Sequence, residues 1–153
     1  MSLRGIGSSL LLAINIGALP YFIGISGTLI IISLSYIFLG IIYIKDKEMF
    51  HAISRFKNID RYIAYEKKDK DFKEYVKENP YSYFLIGGLV LYLAYKFMEV
   101  GYSVKYSLIF IIFIIANYLV EVYAMTTSDD WLGYRKKSLL IGMIIVFLIL
   151  FLF

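Results

Sequence analysis

IGSSLLLAINIGALPYFIGISGTLIIISLSYIFLGIIYI, residues 6–44, carries no charged side chain over 39 positions. The hydrocarbon core of a bilayer is about 30 Å thick, and a helix rising about 1.5 Å per residue crosses it in roughly 20 residues. The stretch is nearly two crossings long, so hydrocarbon rather than water is its expected solvent. Pro20 lies inside it, and Gly24-Ile25-Ser26-Gly27 follows. Glycines at that spacing permit a tight turn, which divides the stretch into one helix over residues 3–23 and a second over 28–44. The alternative is a single helix kinked at Pro20. Such a helix would be nearly 60 Å long, about twice the hydrocarbon thickness.

The rest of the chain repeats the apolar theme. Of 153 residues, 60% are hydrophobic, and the mean hydropathy is +0.72, whereas a soluble domain is about 45–50% apolar. Further apolar helices are expected over residues 81–98, 104–125 and 138–153. Tyr81 and Tyr83 open the first of these, where an interfacial aromatic belt belongs. Gly101 turns the chain, and a polar loop occupies 126–137. The expected fold is all-α: a single integral membrane bundle of five transmembrane helices, with one cytoplasmic amphipathic segment over residues 45–80.

That segment is the one long polar stretch. Met49, Ile53, Phe56, Ile59 and Ile63 recur at helical spacing and share a face. Phe72, Tyr75 and Val76 repeat the pattern more briefly. Two amphipathic helices joined near Lys67-Lys68-Asp69-Lys70 account for it, ending at Asn79-Pro80. They either lie in the headgroup region or pack on the base of the bundle.

Charge sets an orientation. Ten basic residues fall between Lys45 and Lys77, three in Arg135-Lys136-Lys137, and Arg4 precedes the first helix. With five crossings these fourteen share one side, and Lys96 and Lys105 face the other. The positive-inside bias then puts the N-terminus in the cytoplasm and the C-terminus outside the cell membrane. The same bias explains a net charge of +4 without nucleic acid as a partner. The apolar run after Arg4 is too long for a secretory h-region, so no cleavage is expected. Absence of Cys and Gln, with abundant Ile, Tyr and Lys, fits a thermophilic archaeal source.

Polar groups inside hydrocarbon are costly and are candidates for function. Asn15 lies near the middle of the first helix. Asn117 and Glu121 sit one turn apart on the fourth, beside Tyr118. They can serve as interhelical glue, as an ion- or proton-binding site, or as a substrate contact. Glu121 is close enough to the helix end to meet water, Arg135 or Lys136. Gly5, Ser9, Ala13 and Gly17 form a row of small residues on the first helix, and Gly87, Gly88 and Ala94 punctuate the third. Such residues let helix backbones approach closely.

No catalytic residue stands out. There is no glycine-rich phosphate loop, no H-E-x-x-H and no G-x-S-x-G. Serines 8, 9, 33 and 35 have no histidine partner. His51 is the lone histidine and is read as solvated, so neither a metal site nor a cofactor is expected. Glu99 reads as an interfacial anchor near Lys96 and Lys105.

The N-terminal third, LRGIGSSLLL through the GISGTLI of residues 24–30, resembles a family of small archaeal multi-spanning membrane proteins of unknown function. It shares their apolar hairpin with paired glycines at the turn, followed by a charged segment. The resemblance implies a polytopic fold and brings no activity. The function expected is non-catalytic: an accessory or structural subunit of a larger respiratory or transport complex, with other membrane subunits or further copies of itself as partners. The competing expectations are a small channel or transporter protomer built around Asn15, Asn117 and Glu121, and an enzyme acting on lipid.

Overall fold

A computed structural model describes residues 1–75 and 80–152. The molecule is all-α, 88% helical, with no strand among the described residues. In chain order the helices are α1 (Leu3–Lys45), α2 (Lys47–Lys57), α3 (Ile59–Glu66), α4 (Lys70–Tyr75), α5 (Pro80–Lys96), α6 (Val104–Thr127) and α7 (Trp131–Leu152). Residues 76–79, where the amphipathic segment was expected to close, and Phe153 fall outside the described residues.

One residue interrupts α1. Gly24 has φ 74° and ψ 173°, a combination essentially reserved for glycine. Pro20, by contrast, sits within helix and is buried. The break at Gly24 kinks the helix, as a length argument also requires. A straight 43-residue helix would hold its ends about 64 Å apart. Fully stretched at about 3.4 Å per residue, the chain from Lys45 to Asp60 reaches only about 50 Å. Yet the Ser2 hydroxyl lies 2.7 Å from the Asp60 carboxylate. The segment over residues 3–45 is therefore not one straight helix, and Gly24 is where its backbone leaves helical geometry.

Between the other helices the breaks share a chemistry. Asp46, Asn58, Asp69 and Asp130 each offer a side-chain oxygen to the backbone N–H three residues on, at Met49, Arg61, Phe72 and Gly133. Each satisfies an orphan donor of a helix first turn. Two expectations are corrected by these caps. Residues 45–75 hold three helices rather than two, because Asn58 ends one and starts the next. The loop expected over 126–137 is mostly helix: Asp130 caps α7, which starts at Trp131 instead of residue 138.

The helices fall into two compact units. One comprises Met1–Ala13, Ser54–Lys77 and Ile111–Phe153, the other Ile14–Ile53 and Glu78–Phe110. In the second unit, the later arm of α1 runs antiparallel to α5 on small residues. Ser26 Oγ donates to Ala94 O at 2.8 Å, and Ser33 Oγ donates to Gly87 O at 2.7 Å. Gly40 lies against Phe84 and Tyr83. As the position on α1 rises by seven, its partner on α5 falls. A Cβ at Gly87 would come within 2.8 Å of Ile37 Cγ1, so the backbones meet where only hydrogen fits. In the first unit, Phe72 and Met125 form a small core bordered by Ala64, Tyr65, Trp131 and Tyr134.

The arrangement leaves a great deal of apolar surface uncovered. Among the described residues, two helices, α1 and α6, are long and apolar enough to cross a membrane, and only 28% of the apolar window of each is buried. Leu10, Leu11, Ile14, Phe22, Leu34 and Phe38 on α1 are exposed, as are Leu108, Ile112, Phe113 and Leu119 on α6.

Gly24→Ala meets no neighbour within 4 Å, so its cost is backbone strain alone. It is expected to lower stability by about 1–3 kcal/mol, measured by thermal unfolding in detergent. Gly88→Ala, in open helical surroundings, is expected to raise stability by up to about 1 kcal/mol in the same assay.

Candidate functional site

Polar groups of the first unit converge on one carboxylate. Asn58 caps α3 and places Asp60 in its first turn, where the positive end of the helix dipole favours an anion. Asp60 is buried, at 9% exposure, and three donors surround it. The Ser2 amide donates to Oδ2 at 2.9 Å, the Ser2 hydroxyl to Oδ1 at 2.7 Å, and the Tyr118 hydroxyl to Oδ2 at 2.5 Å. The Ser2 hydroxyl also accepts from Gly5 N at 3.0 Å, so it caps α1 while serving Asp60. One carboxylate thus joins the start of α1, the start of α3 and the middle of α6.

Gly5 makes the approach feasible. A Cβ there would collide with the Asp60 carboxylate and the Tyr118 hydroxyl. Gly5, Ser9, Ala13 and Gly17 all lie on the buried side of α1. Ser9 satisfies its hydroxyl on its own helix, at Ile6 O. Among the small residues of α5, Gly87 and Ala94 are buried and accept hydroxyl bonds from α1. Gly88 is exposed, with nothing within 4 Å of where its Cβ would stand, so the structure places it outside that contact.

Electrostatics hold the node ionised. Burial acts to raise the pKa of Asp60. The hydroxyls of Tyr118 and Ser2 and the Ser2 amide outweigh it and keep the carboxyl below its ordinary range. A carboxylate so held is a poor proton acceptor near neutrality, and it serves better as a clamp than as a relay.

Beside Asp60, Arg61 reaches the other way. Its Nε lies 3.5 Å from Glu121 Oε2, and its Nη2 is 3.5 Å from the Tyr134 hydroxyl. The basic group at Glu121 therefore comes from α3. Arg135 lies over the Trp131 ring, 5.3 Å from its centroid. Both side chains of the Arg61–Glu121 pair keep some water contact, 18% and 26% exposed, so the pair is worth at most about 1 kcal/mol. Lys68 Nζ donates to Ser128 O and Lys137 Nζ to Thr127 O, each at 2.5 Å, and both act on the end of α6, where exposed carbonyls attract cations.

The three polar residues singled out in the sequence fare differently. Glu121 joins the network through Arg61. Asn117 is half-buried on the same helix, and Asn15 is exposed and belongs to the other unit. Sequence reading missed Asp60, Ser2 and Arg61. Asp60 was counted with the polar face of an amphipathic helix, and the one local sign against that was Asn58-Ile59-Asp60, a cap followed by a first-turn acid. Among the described residues, no three His, Asp or Glu side chains gather as a metal site.

No family model, curated protein or solved structure matches this chain.

Asp60→Asn is expected to cost about 1–3 kcal/mol at pH 7, since a buried donor set loses its anion. Glu121→Gln should cost less than about 1 kcal/mol. The lowered pKa of Asp60 has a definite sign. Its stabilisation is complete above the unfolded value of about 3.9 and is lost as pH falls through the folded value. Chemical denaturation of the detergent-solubilised protein between pH 2 and 7 should show this loss in wild type and a flatter acid limb in Asp60→Asn. Gly5→Ala should destabilise by about 1–3 kcal/mol through overpacking.

Proposed function

We propose that this chain is a multi-pass membrane protein of five crossings that acts as a non-catalytic accessory subunit of a larger membrane assembly. The observation that carries the reading is the surface of α1 and α6. Each has an apolar window long enough to cross a bilayer, and less than a third of it is buried. Water would penalise that surface at roughly 25 cal/mol per Å², whereas lipid tails or the helices of neighbouring subunits cover it at no such cost. The two arms of α1 supply the first two crossings. α5, α6 and α7 supply three more, with the fourteen basic residues on the cytoplasmic side.

Commitment of the polar side chains favours an accessory role over transport. Asp60, Tyr118 and Ser2 serve one another. Glu121 serves Arg61. Ser26 and Ser33 serve carbonyls of α5, and Thr126 serves α6 itself. Groups occupied in this way hold helices together rather than exchange a solute.

Two measurements test the reading. The chain has no cysteine, so single-cysteine variants label without background. Membrane-impermeant maleimide should reach Lys57→Cys and Ser103→Cys from opposite faces of a sealed vesicle, and labelling from the same face sinks the five-crossing topology. Mild-detergent extraction from native membranes should bring down fixed partner subunits. A purified chain that moves solute alone in liposomes, with the flux abolished by Glu121→Gln, would replace the accessory role with a transporter.

A further inference from the structure

We propose that α2 is a binding face for anionic lipid headgroups, with Met49 and Phe56 set into the boundary between headgroups and acyl chains. The proposal rests on the reading that α1 crosses a bilayer, and it adds a ligand class to the polar segment. Three observations carry it.

The first is position. α1 ends at Lys45 and α2 begins at Lys47, leaving Asp46 as the sole link. Asp46 N donates to Ile42 O at 2.7 Å, and the Asp46 carboxylate caps α2 at Met49 N. Phe50, buried to 1% exposure, sets its ring 4.9 Å from Tyr43 in the last turns of α1 and 5.7 Å from Tyr83 near the start of α5. A helix stitched to the ends of apolar helices in this way stays at the membrane surface.

The second is the face it leaves open. At about 100° per residue, Met49, Ile53 and Phe56 lie within about 60° of arc. Phe50 flanks that arc on the side packed against Tyr43 and Tyr83. Phe56 is 82% exposed and Met49 48%. A phenylalanine so open to water is costly, and the acyl boundary removes the cost while the rest of the helix stays hydrated.

The third is charge. Lys45, Lys47, Arg55 and Lys57 outnumber the acidic Asp46 and Glu48 along this stretch; Asp46 is engaged as a cap, Lys47 lies over the Tyr43 ring and Arg55 over the Tyr62 ring. Arg55 and Lys57 flank Phe56 on either side, where their stems can run along acyl chains and their charges reach phosphate. Each basic residue at an anionic leaflet is worth about a fivefold gain in binding.

Tryptophan quenching by brominated lipids tests the proposal on the full chain in liposomes. The native Trp131 is replaced by Phe, and Phe56→Trp is compared with Phe113→Trp, an outward-facing position on α6. Both tryptophans should be quenched by brominated lipid. Quenching at position 56 by brominated phosphatidylglycerol should exceed that by brominated phosphatidylcholine and fall at high salt. Arg55→Gln or Lys57→Gln should each reduce that preference up to about fivefold. Quenching at 113 but not at 56, with position 56 open to aqueous iodide, overturns the inference and leaves the membrane reading intact. Protection of position 56 from both quenchers overturns it too, because a protein surface then covers α2. Equal quenching by both lipids removes the anionic preference and with it the proposed ligand. Absence of quenching at 113 overturns the membrane reading itself.

Discussion

A buried carboxylate must find donors or a proton, and the first unit is organised around the donors that Asp60 finds. Two come from the residue that caps α1 and one from the middle of α6. A side chain from the polar segment is thereby tied to two of the apolar helices of its unit, α1 and α6. The bond network needs Gly5 bare, because any larger residue would strike the carboxylate. A charge that costs much to bury alone becomes a fixed joint when three donors meet it, and removing any one donor leaves the carboxylate short of a partner.

The second unit solves the same problem without charge. Hydroxyls of Ser26 and Ser33 on α1 reach carbonyls of Ala94 and Gly87 on α5, one heptad apart. Small residues let the two backbones approach closely, and short hydroxyl bonds then join them. Aromatic rings finish the joint at its polar end, where Phe50 sits against Tyr43 and Tyr83 and anchors α2. Both units thus use polar side chains as fasteners, and many of their large apolar side chains stay exposed.

Much of this was legible one residue at a time. A break in the stretch follows from length, since 39 uncharged residues exceed what one crossing needs, and Gly24, where α1 kinks, was among the glycines at the expected turn. The small-residue row Gly5, Ser9, Ala13 and Gly17 could be read as a face because helical spacing is local. The Asx caps were legible in principle and were passed over. Asn58 and Asp130 look like ordinary polar residues until the N–H three positions on is counted, and overlooking them merged two helices and delayed the start of α7. The Asp60 node was not legible. Its donors stand 58 positions away on either side, and nothing in periodicity or composition links Ser2, Asp60 and Tyr118.

Composition and periodicity by themselves determined that the chain is helical, that its longest apolar stretch is interrupted at a glycine, and where charge collects, because these depend on each residue's own preference for water, lipid or a turn. Tertiary structure alone decided which polar groups are used up and which hydrophobic side chains stay open. That choice is made by contacts between distant segments, where a missing Cβ at Gly5 or a hydroxyl on Tyr118 matters only once another helix arrives beside it.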